Sequence, residues 1–463
     1  MKIIKRIEEE DSEDAANSSY HPGAYPVKGR QNADMVQHTP ENPVPESAED
    51  GRDRYLVSHY FDYIGGTSTG GLISIMLGRL RMTTEDCIEA YQEFGGRIFG
   101  NGRLFSQRGP FWVWWREKYD EDKLRKAVED IVSDNLPRMQ RGLGAGKFNY
   151  SPHLCKTVCF AFTSEPINIG RNPYRDVARD IRQESPETVG PYVFRSYDHL
   201  AAPKTSNKPQ FFPRNPGPAP TIPIWEVARA TTAAPTYFAP VVITDRKYGD
   251  GGFGCNNPVV ELRIEVETMH GNPEMEAANF MLSIGTGETK GFHRIPKAGG
   301  FQQLYGYLRA AKKLASESAE AHESMSQHCQ NPRNGWSYHR LNVTSKYELA
   351  DMKLDEWKKN QKTLRRIEEE TMKYCREPEV NKELEDIAKQ LVERRRARCK
   401  GSEWEFFSTG TLYRCVLSPC NKPQKQYRTR QALQKHLRAV HSSSYDPDDR
   451  AAEEELFKRG RCT

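Results

Sequence analysis

Two apolar runs separated by a glycine-rich turn are the clearest feature of the hydrophobic pattern. The first run, Tyr60–Ile64, is typical of the end of a buried strand. The second run, Leu72–Leu80, has apolar residues around most of a helical circumference and predicts a buried helix. Residues 64–71, Ile-Gly-Gly-Thr-Ser-Thr-Gly-Gly, lie between them. The pattern therefore predicts a strand, a sharp turn and a helix in direct succession, with Ser68 at the turn.

Apolar runs predict two more buried strands, Cys155–Phe162 and Phe280–Ile284. Residues 83–86, Thr-Thr-Glu-Asp, have the composition of a helix start, with acidic side chains in the first turn. Strands and helices alternate along this part of the chain. Such alternation favours an α/β fold, with a mostly parallel sheet and helices on both faces.

Composition divides the chain into five predicted parts. Residues 1–54 carry seven basic and twelve acidic side chains, several prolines and no apolar periodicity, which predicts a disordered acidic tail. Residues 55–300 form the predicted α/β core, and residues 301–400 a polar helical extension. A small metal-binding unit is expected at 410–445, followed by a tail at 446–463.

Charge and hydropathy narrow the class of protein. The net charge of +5 comes from 68 basic and 63 acidic residues, a balance that does not by itself indicate nucleic-acid binding. No stretch approaches about 18 apolar residues, and the N-terminus lacks the apolar segment of a signal peptide. We therefore expect an intracellular, cytoplasmic protein without a transmembrane segment. Its ten cysteines are expected to be reduced, with Cys415 and Cys420 as metal-binding exceptions.

Residues Gly66–Gly70 fit the G-x-S-x-G pattern of a nucleophile elbow, in which a tight turn exposes the Ser68 hydroxyl. The helix that follows directs its free N–H groups and the positive end of its dipole toward the turn. The backbone N–H of Thr69 is the expected donor to an oxyanion. A serine hydroxyl is a poor nucleophile until a base accepts its proton, so the elbow needs a partner.

Two candidate partners lie downstream. Asp250 stands in Gly249-Asp250-Gly251-Gly252, where glycines let a carboxylate approach another backbone closely. The alternative is an Asp/His pair in the chain order of α/β-hydrolases, for which His270 and His293 are the nearest histidines after Asp250.

Three motifs together resemble patatin-like phospholipases. They are residues 61–72 with 77–80, residues 229–238, and Asp250-Gly251-Gly252 followed by Asn257-Pro258. Their order and spacing agree with the family over roughly residues 55–398. The resemblance implies a three-layer patatin-like α/β fold. It also implies an enzyme that hydrolyses lipid esters at a membrane or lipid surface. It also implies a Ser–Asp dyad, a covalent acyl-enzyme and no cofactor for catalysis.

The resemblance implies a role for six residues of these motifs. Ser68 is the nucleophile and Asp250 the general base, and Gly66, Gly70, Gly251 and Gly252 are the motif glycines. Phospholipids or other lipid esters are the implied substrates.

The sequence departs from the family at one point. Patatin-like enzymes carry a D-G-G-G-x-R-G loop after their first strand, whereas residues 1–54 contain only the isolated glycines Gly23, Gly29 and Gly51. We expect a fold that lacks the first strand and the glycine-rich loop. Losing an oxyanion donor costs on the order of 10² to 10³ in rate, so we expect impaired hydrolysis, from a truncated gene model or a degenerate copy.

The alternative to an enzyme is a catalytically inactive scaffold. Such a protein would act as a binding module for protein or nucleic acid through its C-terminal unit.

That C-terminal unit has the spacing of a zinc finger. Cys415, Cys420, His436 and His441 form C-x4-C-x15-H-x4-H, close to the C2H2 pattern of tetrahedral structural zinc in a small ββα unit. Aromatic and leucine core positions fit as well, at Tyr413, Tyr427 and Leu433.

The helix of this unit offers little to a DNA base. Its base-facing positions would be Thr429, Ala432 and Lys435, which discriminate poorly between bases. The sequence therefore favours a structural or protein-binding finger over a nucleic-acid reader.

Overall fold

A computed structural model of the protein describes residues 1–10, 55–99, 119–136, 146–168, 187–199, 214–234, 237–270, 279–288, 318–331, 335–352 and 362–462. Most of the predicted acidic tail, residues 11–54, and one candidate histidine, His293, lie outside these segments. Within them, no helix combines the length and the apolar composition needed to cross a membrane.

The central sheet is organised on one long strand, β2 (Lys156–Asn168). Strand β1 (Tyr63–Thr67) pairs with β2 in parallel, and β3 (Glu187–Arg195) pairs with it in antiparallel fashion. Strand β5 (Arg246–Asp250) also pairs antiparallel with β2, and β4 (Val241–Ile243) extends the sheet from β5. A second, two-stranded parallel sheet contains β6 (Asn279–Ile284) and β7 (Trp336–Leu341). The strands predicted over 155–162 and 280–284 are confirmed as β2 and β6.

The register along β2 brings two strand ends together. Strand β1 occupies one edge of β2 from Lys156 to Phe160, while β3 occupies the opposite edge. The next two residues of β2, Ala161 and Phe162, pair with the end of β5. Because β1 and β5 run in opposite directions along one edge, their carboxyl ends meet near Phe160 and Ala161.

Helices surround this sheet. Those of the α/β part are α1 (Lys2–Glu10), α2 (Thr69–Ser74), α3 (Thr84–Phe99), α4 (Glu121–Asn135), α5 (Ile224–Thr231), α6 (Gly252–Cys255), α7 (Val259–His270), α8 (Lys362–Cys375) and α9 (Pro378–Cys399). A five-residue π-helix, Ile75–Arg79, continues α2, and short 3-10 turns cover Val57–His59 and Glu348–Asp351. Residues 318–330 are also helical.

Alternate side chains of β2 point to two separate apolar layers. Cys159 and Ala161 join the layer under α2 to α5, whereas Val158 and Phe160 join the layer on the other face, toward α7. All four side chains are fully buried. The predicted α/β class with helices on both faces is confirmed, and the pairing among the described strands combines parallel and antiparallel ladders.

The first ten residues correct a prediction. Residues 2–10 form α1, which packs on α9, so disorder is wrong for this stretch. The buried carboxylate of Glu8 accepts two hydrogen bonds of 2.7 Å from Arg395 and a third of 3.2 Å from Arg396. The helical spacing of Ile3, Ile4 and Ile7 was a signal for this helix, and the acidic, proline-containing composition of residues 1–54 as a whole concealed it. The surface on which it packs, α9, lies almost 400 residues away in the chain.

The C-terminal unit has the predicted ββα form and an unpredicted addition. Strands β8 (Leu412–Arg414) and β9 (Gln426–Tyr427) form a hairpin before α11 (Arg430–Val440). Short helix α10 (Trp404–Thr409) precedes the hairpin. The predicted tail is wrong as far as residue 462, because α12 (Arg450–Gly460) packs against β8 and β10 (Arg461–Cys462) adds a third strand to it.

Candidate active site

Ser68 occupies a strained turn between β1 and α2. Its backbone angles are φ 56° and ψ −124°, in the positive-φ region that non-glycine residues rarely adopt. A Cβ at Gly66 would lie 2.1 Å from the carbonyl oxygen of Gly70, so the turn requires glycine at that position. A Cβ at Gly70 would meet nothing within 4 Å. Of these two motif glycines, only Gly66 is therefore required by close packing.

Ser68 and Asp250 are in direct contact although 182 residues separate them in the chain. The Ser68 Oγ donates a hydrogen bond of 2.6 Å to Oδ2 of Asp250. The partners along β2 explain the contact, because Thr67 pairs with Phe160 and Asp250 pairs with the next residue, Ala161. The contact is direct, and no histidine of the described segments lies between the serine and the carboxylate.

The Asp250 carboxylate is held in a buried position by the glycines after it. Its side chain is 4% exposed, and its Oδ1 accepts a 2.7 Å hydrogen bond from the N–H of Gly252. A Cβ at Gly251 would lie 2.3 Å from the carbonyl oxygen of Phe160. Glycine at this position allows the loop to approach β2 closely enough to bring the carboxylate onto Ser68.

Burial raises the pKa of Asp250 to about 6. Hydrogen bonds from Ser68 and from the Gly252 N–H act in the opposite direction and stabilise the carboxylate. A carboxylate with a pKa near 6 is a stronger base than an ordinary aspartate and is still largely ionised at neutral pH.

The first turn of α2 directs N–H groups at the same place. The N–H groups of Gly71 and Leu72 donate to the carbonyl oxygen of Ser68, at 2.9 and 3.2 Å. The N–H groups of Thr69 and Gly70 precede them and have no acceptor within the helix. The predicted oxyanion donor, Thr69, is thus at a helix N-terminus directly beside the nucleophile.

Of the two candidate histidines, only His270 lies in the part of the chain that the structure describes. His270 lies at the end of α7, where its Nε2 is 3.4 Å from the hydroxyl of Tyr63. Burial lowers its pKa, and no hydrogen bond joins it to Ser68 or Asp250. His293 belongs to the undescribed part of the chain.

One buried residue of the site was missed by reasoning from sequence. The hydroxyl of Thr231 accepts a 2.9 Å hydrogen bond from the backbone N–H of Ser68 and donates a 2.6 Å bond to the carbonyl of Phe160. Thr231 lies in the second of the three motifs, residues 229–238, which was the available signal.

The four predicted metal ligands form a compact cluster. The ligand atoms of Cys415, Cys420, His436 and His441 all lie within 4.8 Å of one another. The Cys415 Sγ is 3.3 Å from His441 Nε2, and the Cys420 Sγ is 3.4 Å from His436 Nε2. Tetrahedral zinc with ordinary bond lengths separates its sulfur and nitrogen ligands by about 3.6 Å, so the cluster fits the ion. These residues could hold a metal ion.

Comparison with known proteins agrees with this fold. Residues 54–263 match the family model described as patatin-like phospholipase. Over 231 residues the chain is 25% identical to calcium-independent phospholipase A2-gamma of Rattus norvegicus, covering 50% of this chain and 24% of that protein. It is 24% identical over 266 residues to Phospholipase A I of Arabidopsis thaliana, covering 52% and 19%.

A shorter relative gives a similar result. Patatin-like protein 4 of Arabidopsis thaliana is 23% identical over 262 residues, which is 52% of this chain and 53% of that protein. Residues 54–263 are therefore similar to the patatin-like phospholipase domain. The chain spans about a quarter of the length of the phospholipase A2-gamma relatives that it matches. The Cys/His cluster lies outside the matched residues.

The two glycines of the elbow give a matched pair of substitutions. We expect Gly66→Ala to disrupt the turn, because its Cβ would overlap the Gly70 carbonyl at 2.1 Å. Gly70→Ala should leave the unfolding temperature unchanged or slightly raised, because its Cβ has open space and alanine favours a helix by about 1 kcal/mol over glycine. Thermal unfolding of the two purified variants measures the difference. Equal losses in both variants would contradict the assigned packing.

Proposed function

We propose that this protein hydrolyses carboxylic esters of lipids through a Ser68–Asp250 dyad. The observation that carries the proposal is a hydrogen bond of 2.6 Å. It runs from the Oγ of Ser68, which lies in a strained turn, to the buried carboxylate of Asp250. The similarity of residues 54–263 to patatin-like phospholipases supports lipid acyl hydrolase activity in general.

The reaction follows from the positions of these groups. Asp250 accepts the hydroxyl proton while Ser68 Oγ attacks the ester carbonyl, and negative charge develops on the carbonyl oxygen. The N–H of Thr69 and the N-terminus of α2 stabilise that charge. Asp250 then returns the proton to the leaving alcohol, and the acyl group stays on Ser68. In the second half of the cycle Asp250 accepts a proton from water as the water attacks the acyl carbonyl; the bond to Ser68 Oγ then breaks, Asp250 returns the proton to Ser68 Oγ, and the fatty acid leaves.

Hydrolysis by a chain of this sequence is expected to be slow. Residues 1–54 carry no glycine-rich loop that could add backbone donors to the oxyanion site. Among the described residues, the N–H of Thr69 at the start of α2 is the assigned donor. Removing one oxyanion donor typically reduces the rate on the order of 10² to 10³.

Phospholipids or other lipid esters are the proposed substrates. The curated relatives include proteins named as phospholipases, and one is named as an intracellular phospholipase A2. We propose that the protein acts in the cytoplasm on a membrane or lipid surface.

We also propose that the C-terminal unit binds a structural zinc ion through Cys415, Cys420, His436 and His441. Zinc would cross-link the hairpin to α11 and supply folding energy rather than chemistry.

Internal packing argues against base reading by this unit. Thr429 caps α11 by accepting a 3.0 Å hydrogen bond from the N–H of Ala432, and Ala432 packs on the apolar core of the unit. Glu453 of α12 accepts a 2.8 Å hydrogen bond from Gln434. Because two of the three base-facing positions are used inside the unit, a structural or protein-binding role is favoured over nucleic-acid binding.

The dyad makes a prediction that a catalytic triad does not. Ser68→Ala should abolish hydrolysis of p-nitrophenyl esters and labelling by a fluorophosphonate, and Asp250→Asn should reduce the rate by at least about 10³. His270→Ala and His293→Ala are the controls and should retain activity within about twofold of the wild type. Loss of activity in a histidine variant with retention in Asp250→Asn would replace the dyad by a triad. Absence of both turnover and labelling in the wild type would favour the inactive scaffold.

The raised pKa of Asp250 predicts the pH dependence. The base must be ionised to accept the serine proton, so kcat/KM should rise as pH increases through about 6 and level off above 7. Below the pKa, activity should fall about tenfold for each pH unit. Steady-state assays between pH 4.5 and 8.5 measure this, with circular dichroism as a control for folding. A rate independent of pH over this range would contradict Asp250 as the base.

The metal cluster predicts about one zinc ion per chain in the purified protein. Cys415→Ser and Cys420→Ser should each remove most of the zinc and make the C-terminal unit sensitive to protease. Cys375→Ser is the matched control, because Cys375 is a free half-buried cysteine at the end of α8, outside the cluster. Elemental analysis gives the stoichiometry. Unchanged zinc content in Cys415→Ser would end the hypothesis.

A further inference from the structure

Thr231 is the last residue of α5 and is fully buried behind the nucleophile. Its Oγ1 lies 2.9 Å from the backbone nitrogen of Ser68 and 2.6 Å from the carbonyl oxygen of Phe160. A hydroxyl has one proton, and a carbonyl can only accept. The proton therefore goes to Phe160, and an oxygen lone pair accepts the Ser68 N–H.

Ser68 needs a partner of this kind for its amide. The ladder between β1 and β2 ends at Thr67, which pairs with Phe160. The positive φ of Ser68 then turns the chain out of the sheet, and the hydrogen bonds that begin α2 use its carbonyl rather than its N–H. A buried N–H without an acceptor costs as much as a lost hydrogen bond. Thr231 supplies the acceptor at the strained residue itself.

The same end of α5 also holds the loop that carries the base. The N–H of Asp250 donates to the carbonyl of Ala233 at 3.0 Å, and the N–H of Gly251 approaches the carbonyl of Thr231 at 3.4 Å. The side chain of Thr231 thus contacts the backbone of Ser68, and its carbonyl group contacts the loop that carries Asp250.

Packing leaves little room for movement around this point. A Cβ at Gly71 would lie 2.7 Å from both Oγ1 and Cγ2 of Thr231, so the first turn of α2 rests directly on the threonine. A Cβ at Gly251 would overlap the carbonyl of Phe160, the group that receives the Thr231 proton. The hydroxyl is therefore enclosed by the elbow, by β2 and by the Asp250 loop.

We propose that Thr231 is a positioning residue that sets the Ser68–Asp250 hydrogen bond by fixing the backbone of the nucleophile and of the base together. This inference rests on the proposed hydrolase function. It assigns to Thr231 no contact with substrate. Its effect is expected on the chemical step rather than on substrate binding.

The test compares variants that differ by the hydroxyl alone. Thr231→Val keeps the shape and removes the hydroxyl, while Thr231→Ser keeps the hydroxyl. Thr231→Ala, compared with Thr231→Ser, isolates the hydroxyl again if the valine variant does not fold. Thr232→Val is the control, because the neighbouring buried hydroxyl donates only to the Ala228 carbonyl of its own helix, at 2.7 Å.

We expect Thr231→Val to lower kcat at least about 30-fold with KM within about threefold, whereas Thr231→Ser and Thr232→Val stay within about threefold of the wild type in both constants. The acidic limb of kcat/KM should also move to higher pH in Thr231→Val. The reason is that the Ser68 hydrogen bond holds the pKa of Asp250 down against burial, and a misplaced serine weakens that bond.

A second measurement does not depend on activity. Hydrogen exchange at the Ser68 amide should become at least about tenfold faster in Thr231→Val and Thr231→Ala and remain slow in Thr231→Ser. If the wild type neither hydrolyses esters nor reacts with a fluorophosphonate, the hydrolase proposal fails, while the exchange result still tests the Thr231 contact. Unchanged exchange in the two variants without the hydroxyl would overturn the inference. So would a serine variant as impaired as the valine variant.

Discussion

The site depends on how two strands share one edge of β2. Strand β1 follows that edge in parallel as far as Phe160, and β5 arrives from the opposite direction at Ala161. The carboxyl ends of β1 and β5 therefore face each other across a single residue step of β2. The residue that follows β1 is Ser68, and the last residue of β5 is Asp250. A one-residue slip in either register would separate their side chains or turn one to the other face of the sheet.

Close approach of backbones makes this convergence possible and limits what the sequence can contain there. Gly66 and Gly251 each stand where a Cβ would overlap a carbonyl oxygen, of Gly70 and of Phe160 respectively. The same enclosure excludes water from Asp250, and the resulting burial raises the pKa of its carboxyl group. Dense packing and basicity at this site thus have one physical origin.

The C-terminal unit is attached to the elbow through α10. The carbonyl oxygen of Ser408 accepts hydrogen bonds from His59 Nε2 at 3.1 Å and from Arg81 Nη2 at 2.6 Å. His59 precedes β1, and Arg81 follows the π-helix that continues α2, so one carbonyl joins both flanks of the strand–turn–helix. Burial and the nearby Arg81 charge keep the pKa of His59 well below its usual value, and the ring is therefore neutral. Glu405, in the same helix, pairs with Arg430 at the start of α11.

The sequence by itself determined the features that depend on near neighbours. The apolar runs and the placement of glycines predicted the β1–turn–α2 unit and the strands β2 and β6. These signals are local, because the spacing of apolar side chains and the residue preferences of turns act over a few residues. Ligand spacing in the same way predicted that Cys415, Cys420, His436 and His441 would come together. Asp250 was among the candidates, but its choice over a histidine needed the resemblance to a family.

The tertiary structure decided whatever depends on partners far along the chain. Helix α1 has helical spacing at Ile3, Ile4 and Ile7, but the apolar surface of α9 that covers it lies almost 400 residues away. The last helix and strand were missed because they pack on a hairpin some 40 residues earlier. Thr231 lies in the second motif, but its role was missed because that role is a hydrogen bond to the Ser68 backbone, 163 residues away. A hydrogen bond or an ion pair between distant residues leaves no local pattern in the sequence. They are set by which strands pair and in what register, and the sheet fixes both only when it is assembled.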